Sequence, residues 1–93
     1  MKYEYDENKS KHNTEKHGIS LGQAIELWSV LSVEIPAKSL DENRSMIIGK
    51  IGNKFYSCIF TVRNETIRLI SARRSRKNEE VIYHEKINET NQG

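Results

Sequence analysis

Between Ser45 and Arg73 the chain runs three times through β-branched and aromatic residues and breaks twice on a dipeptide suited to a tight turn. Ser45–Ile51 and Phe55–Val62 are separated by Gly52-Asn53-Lys54, and Asn64-Glu65 precedes Thr66–Arg73. Side chains branched at Cβ pack well on a pleated surface, while Gly and Asn tolerate the left-handed backbone of two-residue hairpin loops. The pattern predicts a meander of three antiparallel strands. With both loops two residues long, Ile51 faces Lys54, and Arg44, Thr61 and Arg68 fall in one row across the three strands.

That register sorts the side chains. One face collects Ile47, Ile51, Tyr56, Cys58, Phe60, Val62, Ile67 and Leu69, which is a core face. The other carries Arg44, Met46, Ile48, Phe55, Ile59, Thr61, Arg63, Arg68 and Ile70, with Arg63 diagonal to the other two arginines. Like charges side by side across strands repel unless an anion or carboxylate lies between them. The row is therefore splayed into solvent, paired with acids such as Glu79, Glu80 or Glu85, or open to phosphate. A one-residue change in either loop would exchange the faces.

The segment Ser20–Ser32 supplies a cover for the core face. Ser20 and Gln23 have capping-box spacing, and Leu21, Ala24, Ile25, Trp28 and Leu31 recur with helical period. Pro36 forbids continuation, so an amphipathic helix is expected here, with Trp28 as a packing anchor. Residues 6–17 differ: Asp6 suits an N-cap, yet no strongly apolar side chain occurs from Glu7 to His17. Periodicity alone describes a solvated helix or a loose segment. A closing helix is expected over Ser75–Asn88, capped by Ser75 and carrying Val81, Ile82 and Tyr83, with a frayed tail at 88–93. Short edge strands are expected at Lys2–Tyr5 and at Val33–Lys38, the latter interrupted by Pro36.

Composition narrows the function classes. The 93 residues make one domain, and 22 of them are Leu, Ile, Val or Phe, enough to lift a charged chain above the disordered range. No apolar run reaches membrane-spanning length, and Met1–Asp6 lacks the apolar stretch of a secretory signal. The single Cys58 fits a reducing compartment, so a cytoplasmic protein is expected. The net charge of +2 conceals a basic stretch: residues 63–77 hold six basic side chains against Glu65 alone, and five of the six are arginines. Arginine's planar fork suits bidentate phosphate recognition, but a solvated basic sheet edge reads the same way. There is no Gly-rich phosphate loop, no nucleophile elbow and no His/Cys pair at zinc spacing, so neither metal nor cofactor is expected. Taken residue by residue, a lone His17 beside Gly18 is more often a helix-end cap than a catalytic base.

A family resemblance goes further. Tyr5-Asp6-Glu7-Asn8-Lys9, then Asn13, then Lys16-His17-Gly18-Ile19-Ser20 is similar to the opening of the BrnT toxins of prokaryotic type II toxin–antitoxin systems. Ala24, Glu42-Asn43-Arg44 and Gly49 follow in order. Thr66-Ile67-Arg68-Leu69-Ile70-Ser71-Ala72-Arg73-Arg74 resembles the family's most diagnostic stretch and is followed by Glu79 and Tyr83. Departures are Trp28 where phenylalanine is common, a missing acid after that helix, and Glu80 in place of a frequent base.

The resemblance implies a RelE-like α+β fold: an antiparallel meander with two N-terminal helices and a C-terminal helix, in one domain over 1–93. It also implies order in residues 6–17 through polar contacts. The implied activity is metal-independent RNA cleavage that arrests translation. The implied partner is a BrnA-like ribbon-helix-helix antitoxin, with promoter DNA bound only through the complex. On that basis His17, Arg68, Arg73 and Tyr83 are the candidate catalytic residues, and Arg44, Arg63, Arg74 and Lys16 the candidate RNA phosphate ligands. His17 would be acid or base, its alternative being a structural imidazole bonded to Asp6 or Asn13; Tyr83 would position or stack on a base. The competing class is a non-catalytic module that acts only as co-repressor or scaffold with its antitoxin.

Overall fold

Both hairpins form with the loop lengths expected from the sequence. In the computed structural model, which describes residues 1–37 and 43–91, three long strands follow one another: β3 (Arg44–Ile51), β4 (Lys54–Arg63) and β5 (Thr66–Arg74). Ile51 faces Lys54 across Gly52-Asn53, and Arg63 faces Thr66 across Asn64-Glu65. Gly52 takes a φ of 63° in the first loop; Asn64 and Glu65 take 52° and 66° in the second. The meander is the middle of a larger sheet. β1 (Lys2–Glu4) pairs parallel to β5 and β2 (Ser32–Pro36) pairs antiparallel to β3, giving the order β1-β5-β4-β3-β2. The five-stranded sheet is therefore mixed rather than purely antiparallel. Lys38, the expected end of the β2 segment, lies outside the described residues, as do Leu40, Asp41 and Glu42.

One feature departs from the simple register. From Arg63↔Thr66 to Phe60↔Leu69 the second hairpin pairs as expected, but beyond it Ile59 faces Ser71 and Ser57 faces Arg73. The extra residue is Ile70, a β-bulge. Without it, Arg73 would face Tyr56 and point into the core. With it, Arg73 shares the face of Ser57, and Ala72 enters the core opposite Cys58.

The core face is covered by the N-terminal segments. Ile19, Leu21, Ala24 and Leu27 pack on Ile47, Cys58, Phe60, Ile67, Leu69 and Ala72. Burying ~100 Å2 of apolar surface is worth about 2.5 kcal/mol, so this cluster is the main source of stability. The Cys58 thiol is buried there, and burial pushes its pKa up to about 12. Val62, expected in the core, is 51% exposed. β3 begins at Arg44, opposite Thr61, so Val62 has no β3 neighbour to cover it.

The expected helix over Ser20–Ser32 is shorter and split. Ser20 and Gln23 form the capping box of α2 (Leu21–Ala24), after which the chain tightens to a 3-10 turn over Ile25–Trp28. Four residues later it is already β2, so strand pairing to β3 overrides the helical period. Leu31 is left 66% exposed, although it lies on the helical stripe in the sequence. The 3-10 turn comes so close to β3 that a Cβ on Gly49 would stand 3.1 Å from Leu27 Cδ2 and 3.2 Å from Ser32 Cβ. Trp28 is an anchor as expected, edge-on to both Tyr3 and Phe60 with centroids 5.5 and 5.0 Å away.

The polar segment is ordered. α1 (Glu7–His17) is capped by Asp6, whose Oδ1 accepts from Lys9 N–H at 3.0 Å, and stopped by Gly18 at φ 73°. That hydrogen bond holds the Asp6 carboxyl below its ordinary pKa. Two buried polar residues fasten the helix. Ser10 Oγ accepts from Leu21 N–H. Asn13 Oδ1 accepts from Ala72 N–H at 3.0 Å, while its Nδ2 donates to Ala72 O and Ile19 O, each at 2.7 Å. β1 covers β5 only as far as Arg68, so beyond it the Asn13 amide does what a neighbouring strand would do.

α3 (Lys77–Asn91) crosses the opposite face, over β2 and β3. It starts two residues later than the expected Ser75 and continues past Asn88, so 88–91 are helical rather than frayed. Gln92 and Gly93 lie outside the described residues. Ser75 is not its cap: the Ser75 N–H donates to Phe55 O, its hydroxyl meets Ser57 Oγ at 2.7 Å, and Glu79 Oε1 reaches back to the Arg76 N–H. No described helix is long and apolar enough to cross a membrane.

Candidate RNA-binding face

The face under α3 holds most of the arginines. Arg44, Thr61 and Arg68 stand in one row, as the hairpin arithmetic requires. Arg44 is half-buried; Arg63 and Arg68 are exposed. The acid facing Arg68 is Glu4 of β1, with Nη1 3.6 Å from Oε2 and both side chains about half exposed (45% and 52%). Glu79, Glu80 and Glu85 are not its partners, because β1 brings its own carboxylate alongside. A long, solvated pair of this kind contributes little and leaves the guanidinium available.

Arg73 is held differently. Its Nη1 donates to Glu79 Oε1 at 2.8 Å and its Nη2 to Oε2 at 2.7 Å, a bidentate pair. Glu79 is 5% exposed and also accepts from Ser57 Oγ and from the Arg76 N–H. Burial alone would raise the Glu79 pKa; the donors from Arg73, Arg76 and Ser57 outweigh it and hold the carboxyl down at about 2. The same pairing raises the Arg73 pKa. Beside this pair lies a groove of about 380 Å3 between the sheet residues Ile35, Met46 and Ile59 and Ile82 of α3, walled by Arg73 and Arg76; Arg44, Arg63 and Arg68 do not line it.

The other candidates are distributed around the fold. Tyr83 is 8% exposed; its hydroxyl is 3.4 Å from Leu31 O, and its ring meets Phe55 and His84 edge-on. Arg74 is on the opposite face from Arg73, over the Tyr56 ring at 5.8 Å. Lys16 and His17 are in the last turn of α1, which packs against β5. Neither structural partner expected for His17 is bonded to it: Asp6 caps Lys9, and Asn13 is committed to Ala72 and Ile19. Arg44, Arg63, Arg68, Arg73 and Tyr83 thus share the α3 side, while Lys16, His17 and Arg74 do not.

Sequence reasoning missed Ser57, and it read Ser75 as a helix cap rather than as the partner of Ser57. Nothing in the sequence marks Ile70 as a bulge, and the bulge is what brings Arg73 to Glu79. Among the described residues no group of three or more His, Cys, Asp or Glu side chains is gathered to hold a metal ion.

No curated protein matches the chain. Residues 5–79 match the family described as ribonuclease toxin, BrnT, of type II toxin–antitoxin system. The match spans α1, the core and all of the arginine-bearing strands, and the chain belongs to this family of ribonuclease toxins.

Proposed function

We propose that this protein is a cytoplasmic endoribonuclease toxin of RelE-like design, cleaving RNA without a metal and thereby arresting translation. The observation that carries this reading is the in-register row of Arg44, Thr61 and Arg68, with Arg63 and Arg73 on the same sheet face. Phosphodiester cleavage at a ribose needs a base for the 2′-OH, an acid for the departing 5′-oxygen and positive charge around the phosphorane. Arg44, Arg63 and Arg68 supply the charge, and Arg73 positions the strand from the wall of the groove. His17 is the imidazole proposed for proton transfer, with Lys16 and Arg74 as outlying phosphate contacts; this requires the RNA to pass over the β5 edge. Tyr83 acts from beneath, by fixing its neighbours on α3. A BrnA-like ribbon-helix-helix antitoxin neutralises the toxin by covering the arginine face with carboxylates, and promoter DNA is bound only through that complex.

A second reading is favoured by one observation. Arg73 already holds a carboxylate of its own chain, as an arginine in a purely structural or scaffold role would. Expression of the chain alone distinguishes the two. A toxin stops growth, and Arg68→Ala relieves the arrest while the purified variant stays folded. Harmless expression of folded wild type would establish the scaffold. Full toxicity of Arg68→Ala would move the site off this face, and His17→Ala is the next variant in line.

A further inference from the structure

On the far flank of α3 from the groove, three rings meet edge-on. Phe55 lies 5.0 Å from Tyr83 and 5.5 Å from His84, and Tyr83 lies 5.3 Å from His84, centroid to centroid. They differ in exposure: Tyr83 is buried, Phe55 half-buried and His84 exposed. Lys50, opposite Phe55 in the ladder, sets its ammonium 5.8 Å from the centre of the Phe55 ring and is itself exposed.

We propose that His84, propped on Phe55 and Tyr83, is a stacking platform for one base of single-stranded RNA, with Lys50 taking an adjacent phosphate. The assignment rests on the RNA-cleaving reading above and adds a subsite to it. A single strand is bound without sequence preference by a ring on which a base lies flat and a cation beside it. His84 has what such a platform needs. Its ring is exposed, yet it is positioned by two packed neighbours, so little rotamer freedom is lost when a base arrives. Tyr83 is anchored in turn, one helical turn beyond the latched Glu79. Glu80 stands one turn before His84 and disfavours phosphate there, so the base belongs on His84 and the phosphate near Lys50.

The test titrates the full chain into a labelled 2′-O-methyl hexauridylate, which has no 2′-OH to attack, and reads anisotropy. His84→Ala should weaken binding about tenfold, the loss of one stacked base. His84→Phe should restore it, and Lys50→Ala should weaken binding and reduce the salt slope by about one. His84 ring protons should shift upfield in the complex. Circular dichroism should show all three variants folded, since both side chains are exposed. Unchanged binding by His84→Ala with weakened binding by Arg68→Ala would overturn the platform and leave the RNA reading intact. No binding by wild type would overturn both. Loss of antitoxin affinity in His84→Ala, with oligonucleotide affinity unchanged, would make the patch a protein interface and also overturn the platform.

Discussion

Glu79 receives four hydrogen bonds, two from Arg73 and one each from Ser57 and the Arg76 backbone, and it ties the start of α3 to the sheet. Its folded pKa of about 2 lies below the ordinary 4.5, so the folded state prefers the carboxylate. The stability this contributes is complete above pH ~4.5 and is lost as pH falls from there through about 2. A urea titration series should show wild type losing ~2 kcal/mol more than Glu79→Gln across that window. At neutral pH Glu79→Gln should itself cost about 3 kcal/mol, because Arg73 is left half-buried without its counter-charge. Asn13 invites a sharper comparison. Asn13→Ala leaves the Ala72 N–H, Ala72 O and Ile19 O without partners, and should cost ~2–3 kcal/mol by chemical denaturation. Asn13→Asp keeps the acceptor but loses both donors and sets a carboxylate against two carbonyls, so it should be no better. That Asn13 mattered was legible only through family resemblance, because an amide 59 residues from its strand partner leaves no periodic trace.

The secondary-structure elements show where local rules held and where packing overruled them. Both hairpins were legible because turn residues and strand period agree on the same register. The β5 bulge was not, since Ile70 is as good a strand residue in the ladder as out of it. The 20–32 helix was misjudged for a related reason: Ile25, Trp28 and Leu31 keep the helical period, but Val33 and Ile35 are needed as strand before a full helix can finish. The second hairpin also carries strain that can be removed. Glu65 has a φ of 66°, which suits glycine and opposes a side chain, and its own is exposed. Glu65→Gly should raise stability by roughly 1 kcal/mol and increase the melting temperature, with no change in register. A lower melting temperature would mean that the Glu65 side chain, rather than its backbone, supports the turn.

For the whole molecule, the family and the arginine face were accessible from the sequence, while the grouping of the site was only half so. The row of Arg44 and Arg68 followed from loop lengths, but the position of Arg73 depended on the bulge, and that of His17 on an edge-binding helix. The mechanism proposed here predicts that RNA cleavage by purified protein persists in excess EDTA; loss of cleavage that added divalent ion restores would refute it. The topology has a further consequence, which concerns the order of events on the ribosome. The first strand, β1, pairs with β5, and Asn13 is secured by Ala72, so both must wait for the last third of the chain. α1 has no apolar stripe to hold it meanwhile. A nascent chain that carries the N-terminal half alone therefore lacks the partners of β1 and α1, which can settle into place only once β5 has been made.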